Sequence, residues 1–310
     1  IWGITPVNEP HGNNGQWESM HFTPESQNAF IKQYLGPKLK SGSHQDVKLL
    51  VFDQNRDGLE HWTDVILGDE ETAEYVYGAA VHWYASTFKV YEDVFERVHA
   101  QFPDKAIIHT EGCIDDLGKP APEGITDPEN FQEENWFDND AFWWNPNATD
   151  WAYSATWEGI IEENHPIYTP VHRYARNIIV SLDHWMRGWI DWNIVLDHNG
   201  GPNHVGNYCG APIMINTETR QVYYTPIYYI LAQFSKTIRP GDQAVQTYLD
   251  LSGLGSDALH ACATISAENL LSVQLLNTTK EAITCNLQIR DQYCEINMDM
   301  NSLQTIQIQL

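Results

Sequence analysis

The chain is poor in basic residues and in long apolar runs, and each shortage argues against a class of function. Its 310 residues carry 17 Lys and Arg against 42 Asp and Glu, a formal net charge of −25. Such an acidic surface repels polyanions, which argues against nucleic acid or an anionic membrane as the main partner. No run approaches the roughly 18 apolar residues of a spanning helix, so we expect no integral membrane segment. The composition leaves the oligomeric state open.

Cysteine and the common cofactor motifs are also scarce. Five cysteines occur, an odd number, and none form a Cys-x-x-Cys pair. That count allows two disulfides at most and indicates neither a zinc site nor a complete disulfide framework. The Asp-His pairs at 183–184 and 197–198 lack the spacing of metal ligands, and neither a Gly-x-Ser-x-Gly turn nor a Gly-rich phosphate loop is present. We therefore predict an activity that uses no metal and no organic cofactor.

Apolar runs of strand length alternate with helical stretches over the first 239 residues, which is typical of β/α units. Strands are predicted at Ile1 to Val7, Val47 to Asp53, Val76 to Tyr84, Ala106 to Glu111 and Gly188 to Asn193. Helices are predicted over residues 23–39, 59–67, 90–101 and 170–186. In the first helix Thr23 is the expected N-cap and Pro24 the first helical residue.

The predicted architecture is an α/β fold, a (β/α)8 TIM barrel that is incomplete in this chain. Five strands cannot close an eight-stranded barrel, so we expect three more to precede Ile1. From about residue 240 the sequence changes to short alternating runs such as 283–289 and 306–310, which are typical of an antiparallel β-sandwich. We therefore predict a barrel portion at residues 1–239 and a sandwich domain at residues 240–310.

Two glutamates end two of the predicted strands, and they suggest a chemistry. Glu9 lies in Asn8-Glu9-Pro10, and Glu111 closes the strand that begins at Ala106. An Asn-Glu-Pro tripeptide alone is more often a turn, because Pro ends a strand ladder and Asn tolerates turn geometry. A pair of carboxyls on one barrel rim is what retaining glycoside hydrolysis uses, one as acid/base and one as nucleophile. Asn8 would offer an amide to a sugar hydroxyl.

A series of motifs resembles glycoside hydrolase family thirty, the glucosylceramidase group, over nearly the whole chain. The motifs occur in the order seen in that family: Asn8-Glu9-Pro10, Phe22-Thr23-Pro24-Glu25, Leu35-Gly36-Pro37, Val81-His82-Trp83-Tyr84, Thr110-Glu111-Gly112-Cys113, Gly188-Trp189-Ile190-Asp191-Trp192-Asn193 and Gly200-Gly201-Pro202-Asn203. The resemblance implies a (β/α)8 barrel beside a β-sandwich, with Glu9 as acid/base at the end of strand four and Glu111 as nucleophile at the end of strand seven. This order agrees with a chain that begins on strand four.

The same resemblance implies sugar contacts. Tyr84 and Trp192 would pack against the apolar face of a sugar ring, and His82, Asn8 and Asp191 would bind its hydroxyls. Asn55 is a further candidate, at a position where the family pattern has Gln. Tyr84 is also expected to hydrogen-bond Glu111. The alternative for each of these residues is a buried barrel position without substrate contact.

The implied activity is retaining hydrolysis of β-glucosides, with glucosylceramide-like lipids as first candidates. The alternatives are an endo-β-1,6-glucanase of the same family and a non-catalytic carbohydrate-binding relative or inactive fragment. A long loop rich in aromatic residues between about 114 and 151 favours a polymeric substrate, although it is equally consistent with a self-packed cluster. The expected partner is a glucosyl lipid or β-glucan, and the expected location is extracytoplasmic.

Overall fold

A computed structural model describes residues 1–12, 18–85, 89–113, 169–197, 200–202, 204 and 209–310. The aromatic loop predicted after Glu111 lies outside these residues. Among them, no helix is long and apolar enough to cross a membrane.

The core of the first part is a five-stranded parallel sheet in the order β1-β2-β3-β4-β5. Its strands are Gly3–Ile4 (β1), Lys48–Asn55 (β2), Gly78–His82 (β3), Ala106–Glu111 (β4) and Met186–Trp189 (β5). Strand order follows chain order with helices between, which is the arrangement of consecutive units in a (β/α)8 barrel. The sheet is therefore part of a TIM barrel, as the sequence predicts, and the carboxyl ends of its strands share one rim.

Helices cover the outer face of this sheet. They are Pro24–Phe30 (α1), Gly36–Ser41 (α2), Leu59–Leu67 (α3), Glu70–Ala73 (α4), Glu92–Gln101 (α5), Thr169–Asp183 (α6) and Pro226–Thr237 (α7). A π-helical turn at Ile31–Leu35 joins α1 to α2, so the predicted helix at residues 23–39 is present but not regular. Thr23 caps it as predicted, because its hydroxyl accepts from Ser26 N.

Close contact between β3 and β4 depends on a glycine. A Cβ atom at Gly78 would lie 2.1 Å from the carbonyl oxygen of Ala106, which is far inside van der Waals contact. Only glycine permits that approach, which holds the amino ends of the two strands together, opposite the rim. Val51, Val81 and Phe95 are fully buried in the core between sheet and helices.

A small sheet and a β-sandwich follow in the chain. The three-stranded sheet comprises Val195–Asp197 (β6), Ile213–Ile215 (β7) and Val222–Tyr224 (β8). The sandwich strands are Gln243–Val245 (β9), Leu259–Ile265 (β10), Leu270–Asn277 (β11), Ile283–Ile289 (β12), Gln292–Met298 (β13) and Ser302–Gln309 (β14). Their antiparallel sheets, β14-β11-β10-β9 and β12-β13, enclose a core that includes Val273 and Met298.

The opposite face of the larger sandwich sheet packs on the barrel helices. Cys262 and Leu276 are buried in the same cluster as Ile179 of α6 and Phe234 of α7. Because α7 ends at Thr237 and β9 begins at Gln243, a division of the chain at residues 239/240 remains our proposal. Cys262, Cys285 and Cys294 form no disulfide in the part of the chain that the structure describes.

Candidate active site

Glu9 lies five residues after the end of β1 and has an uncommon backbone conformation. Its φ is +49°, in the left-handed region that a non-glycine residue seldom adopts. The amide of Glu9 donates to the carbonyl oxygen of Asp53 at 2.9 Å, which fixes this turn against β2. The Glu9 side chain is mostly buried, whereas the neighbouring Asn8 is exposed at the rim.

Glu111 ends β4, as the sequence predicts, and its side chain is more open than that of Glu9. The Tyr84 hydroxyl donates to Glu111 Oε1 at 3.2 Å, the hydrogen bond expected from the sequence. The same hydroxyl lies 3.3 Å from the sulfur of the buried Cys113. Burial raises the pKa of Glu111 to about 7; the charges of Glu9 and Asp53 add to this rise, and His82 opposes it.

The two glutamates approach each other closely. One carboxylate oxygen of Glu9, one of Glu111 and one ring nitrogen of His82 lie within 4.8 Å of one another. The outer parts of both carboxyl groups therefore face a common space at the rim. Two carboxyls so placed can act together on one bond of a small ligand.

His82, at the end of β3, lies between the carboxyls rather than in the opening. Its Nδ1 is 3.0 Å from Glu9 Oε1, its Nε2 is 3.0 Å from Asp53 Oδ1, and the residue has no exposed surface. Because each nitrogen faces a carboxyl oxygen, the surroundings favour a ring that donates on both sides, which is the imidazolium. Burial opposes this charge, but the hydrogen bonds to Asp53 and Glu9 raise the pKa of His82 to about 10.

This placement changes the interpretation of His82. The sequence analysis assigned it to a sugar hydroxyl, but both nitrogens are already engaged and the ring is covered. We therefore reassign His82 from substrate contact to the support of Glu9. Among the described residues, Glu9, His82 and Glu111 are the set close enough to share a metal ion. Both His82 nitrogens already face carboxyl oxygens at 3.0 Å, so we assign no metal to this set.

Asp53 belongs to the site but was not predicted to do so. It lies within β2, is 6% exposed, and receives hydrogen bonds from His82, Thr5 and Thr110. Although burial acts the other way, these hydrogen bonds hold the pKa of Asp53 below its ordinary value. The signal in the sequence was weak, because an aspartate near the end of an apolar strand resembles an ordinary strand terminus.

The remaining predicted residues are divided between the rim and its support. Asn55 is buried, and its Oδ1 accepts from the amide of Tyr84 at 3.0 Å, so it positions Tyr84 from beneath. Asp191 accepts from the Tyr174 hydroxyl at 3.1 Å, and burial raises the pKa of Asp191 to about 7. The amide of Trp192 donates to the Gly112 carbonyl at 2.9 Å, which places this tryptophan beside the Glu111 strand end.

Trp192 is also 38% exposed, so its ring is available to a ligand. Tyr84 is largely buried and reaches the site through its hydroxyl. Of the predicted site residues, Asn8 and Trp192 are exposed, whereas His82, Asn55 and Tyr84 are buried, as is Asp53. This is the construction of a site in which buried hydrogen bonds fix a few exposed reactive groups.

Comparison with known proteins adds a family to this geometry. The sequence profile of the glycosyl hydrolase family 30 TIM-barrel domain matches residues 1–124 and 154–238. The chain belongs to glycosyl hydrolase family 30. The five parallel strands of the described residues are part of the family 30 barrel domain.

Several individual proteins resemble this family 30 chain. It is 28% identical to putative glucosylceramidase 4 of Caenorhabditis elegans, over 99% of the chain and 52% of that protein. It is 29% identical to lysosomal acid glucosylceramidase of Mus musculus, over 94% of the chain and 48% of that protein. Endo-1,6-beta-D-glucanase BGN16.3 of Trichoderma harzianum is 21% identical, over 98% of the chain and 51% of that protein.

Among solved structures, SrfJ from Salmonella typhimurium superposes with a TM-score of 0.77 at 20% identity. That alignment covers 100% of this chain and 58% of SrfJ. The likeness to SrfJ concerns the fold. The chain spans about half the length of the curated relatives it matches.

Proposed function

We propose that this family 30 chain carries the catalytic pair of a retaining β-glucosidase of the glucosylceramidase type. Glu9 is the acid/base and Glu111 is the nucleophile. The observation that supports this assignment best is the approach of their carboxylate oxygens to within 4.8 Å. Retaining glycosidases separate their carboxyls by about 5–5.5 Å, and inverting enzymes by about 6.5–9.5 Å. The short separation leaves no space for a water between nucleophile and sugar.

The reaction proceeds by two displacements. In the first, a Glu111 oxygen bonds to the anomeric carbon while the glycosidic bond breaks and Glu9 gives its proton to the leaving oxygen. In the second, a water takes the position of the leaving group, loses a proton to Glu9 and displaces Glu111 from the carbon. Glu9 regains its proton and Glu111 its negative charge, so the site returns to its starting state.

The supporting residues act on these two steps. His82 holds Glu9 Oε1 at 3.0 Å, which leaves the second Glu9 oxygen to carry the transferred proton. The Tyr84 hydroxyl holds Glu111 Oε1 and stabilises its ionised form, because a hydrogen bond to a carboxylate favours the charge. Trp192 provides an aromatic face for the C–H surface of the sugar, and Asn8 an amide for a hydroxyl.

The favoured substrate is a glucosyl lipid, in line with the glucosylceramidase names of the more similar relatives. An extracytoplasmic or lysosomal location fits that substrate class. The second candidate is an endo-β-1,6-glucanase, which the Trichoderma relative and the aromatic-rich segment after residue 113 favour. A third is a non-catalytic carbohydrate-binding relative or an inactive fragment.

The test is a product assay on the complete gene product that contains this chain. An aryl β-glucoside, glucosylceramide and a β-1,6-glucan are each incubated with the wild type and with Glu111→Gln. Glucose released from the lipid, and lost in the variant, supports the first candidate. Oligosaccharides from the glucan support the second. Equal product from wild type and variant contradicts the assignment of Glu111.

A further inference from the structure

Asp53 connects the ends of four neighbouring barrel strands. Its Oδ1 accepts from His82 Nε2 at 3.0 Å and from Thr110 Oγ1 at 2.7 Å, and its Oδ2 accepts from Thr5 Oγ1 at 2.6 Å. Thr5 follows β1, Asp53 is in β2, His82 ends β3 and Thr110 is in β4. One buried carboxylate thus accepts from three donors on three neighbouring segments. A carboxylate has about four acceptor sites, so nearly all of them are used.

The main chain of Asp53 also holds Glu9. Its carbonyl oxygen accepts from the Glu9 amide at 2.9 Å. Both residues have left-handed φ angles, +70° for Asp53 and +49° for Glu9, and the β2–β3 register shifts between Phe52 and Gln54. Such conformations cost about 1–3 kcal/mol each, persist only where surrounding contacts enforce them, and cluster at functional sites. The bulge is what turns the Asp53 side chain toward His82.

We propose that Asp53 is a positioning residue for the acid/base, which it fixes from two sides, through its own carbonyl and through His82. This proposal rests on the function proposed above. Held in this way, Glu9 presents one oxygen to the His82 ring and the other to the leaving group. Asp53 touches no substrate; it acts through the orientation and charge of His82.

The charges around His82 explain why Asp53 is needed. Glu9, Asp53 and Glu111 face the ring from three strands, with Glu111 Oε2 4.0 Å from Nε2. The other charged or titratable groups of this core are the buried Arg56 and His109, which contact each other at 3.5 Å and bring no negative charge. If Asp53 is made neutral, an oxygen at position 53 can still accept from Nε2, but the His82 ring loses the negative charge that does most to stabilise its protonated form. A neutral ring has two tautomers, and only one of them donates to Glu9.

The kinetic test uses Asp53→Asn in the complete gene product, with Asp183→Asn as a matched control. Asp183 also accepts a hydrogen bond, from Thr247, but it is remote from the site. For aryl glucosides with poor leaving groups we expect kcat/KM of Asp53→Asn to fall on the order of 100-fold, within the roughly 10²–10⁴-fold that a positioned acid contributes. Good leaving groups need little protonation, so their loss should be several-fold smaller. The control should match the wild type. An equal loss for every leaving group would overturn the proposal.

A second measurement does not depend on activity. In protein labelled with ¹⁵N-histidine, NMR should show both His82 nitrogens protonated at pH 7, and Asp53→Asn should convert the ring to its neutral form. An unchanged His82 signal would refute the role of Asp53 even if catalysis failed for another reason. If Glu9→Gln and Glu111→Gln retain activity, the proposed function fails, whereas the NMR result still decides the link between Asp53 and His82.

Should Asp53→Asn not fold, Thr110→Val provides the same test with the carboxylate retained. It removes the donor 2.7 Å from Asp53 Oδ1, the oxygen that also binds His82. Asp53 Oδ1 then keeps only its hydrogen bond with His82. We therefore expect the NMR titration of His82 to shift from that of the wild type. A titration identical to the wild type would overturn the proposal.

Discussion

The charge on His82 predicts a dependence of stability on pH that can be measured without knowledge of the substrate. The ordinary histidine pKa of 6.5 is raised to about 10 in the folded chain. The folded state therefore holds a proton that the unfolded state releases between these two values. The stabilisation is complete below pH 6.5 and is lost as pH rises through 10. Each pKa unit corresponds to about 1.36 kcal/mol, so the whole shift amounts to about 5 kcal/mol.

The assay is urea unfolding, followed by tryptophan fluorescence, of wild type and His82→Gln at several pH values from 7.5 to 9.5. This window lies above the pKa of Glu111, which is about 7. Loss of the Glu111 proton also lowers the free energy of unfolding as pH rises, so at lower pH it would add to the effect of His82. The free energy of unfolding of the wild type should fall by about 1.4 kcal/mol for each pH unit relative to the variant, because one proton is involved. Lysines and tyrosines titrate in both proteins, so the difference isolates His82.

Two parallel curves would refute the reasoning, since they would mean that His82 is neutral in the folded protein. The variant itself should be less stable near pH 7, because removing one member of a buried ion pair costs about 3–5 kcal/mol. Its stability should recover toward acid pH as the unpartnered carboxyls are protonated. If the variant is too unstable to measure, the His82 ring is titrated directly by NMR in the wild type.

Three further predictions follow from the same contacts. Tyr84→Phe removes a hydrogen bond that favours ionised Glu111, so the fall of kcat/KM below about pH 7 should begin at a higher pH; an unchanged pH profile would contradict the contact. Glu111→Gln should abolish turnover of all glucosides, whereas Glu9→Gln should spare the first step for good leaving groups, which burst kinetics would reveal; equal losses would contradict the assigned roles. Phe95→Ala should lower the free energy of unfolding by about 3–5 kcal/mol in denaturant titrations, because Phe95 is fully buried between α5 and the sheet, and a loss below 1 kcal/mol would be inconsistent with that packing.

Regular elements with clear end signals were predictable from the sequence. The strand Ala106–Glu111 and the helix Leu59–Leu67 have the predicted bounds, because each combines one strong apolar pattern with a polar or glycine terminus. The first strand was predicted over seven residues and forms only at Gly3–Ile4. Beyond Ile4 the chain leaves the ladder so that Glu9 can enter its left-handed turn, and no local propensity indicates that turn.

The carboxyl pair could be predicted because strand ends of a parallel barrel meet at one rim, whatever else surrounds them. The role of His82 could not, because it depends on which neighbours its two nitrogens meet. Asp53 reaches His82 only through a bulge and a left-handed φ, which are tertiary features. Asn55 was predicted as a sugar contact for the same reason: its chemistry is visible in the sequence, and its burial beneath Tyr84 is not.

The most direct test of the central claim is a trapping experiment on the complete gene product. A 2-deoxy-2-fluoro β-glucoside with a good leaving group slows the second displacement, so a retaining enzyme accumulates as a covalent glycosyl ester. Digestion and mass spectrometry should find the fluoroglucosyl mass on the peptide that carries Glu111, and the Glu111→Gln variant should show none. A label on another residue, or turnover that gives the α-anomer first with no label, would contradict the account.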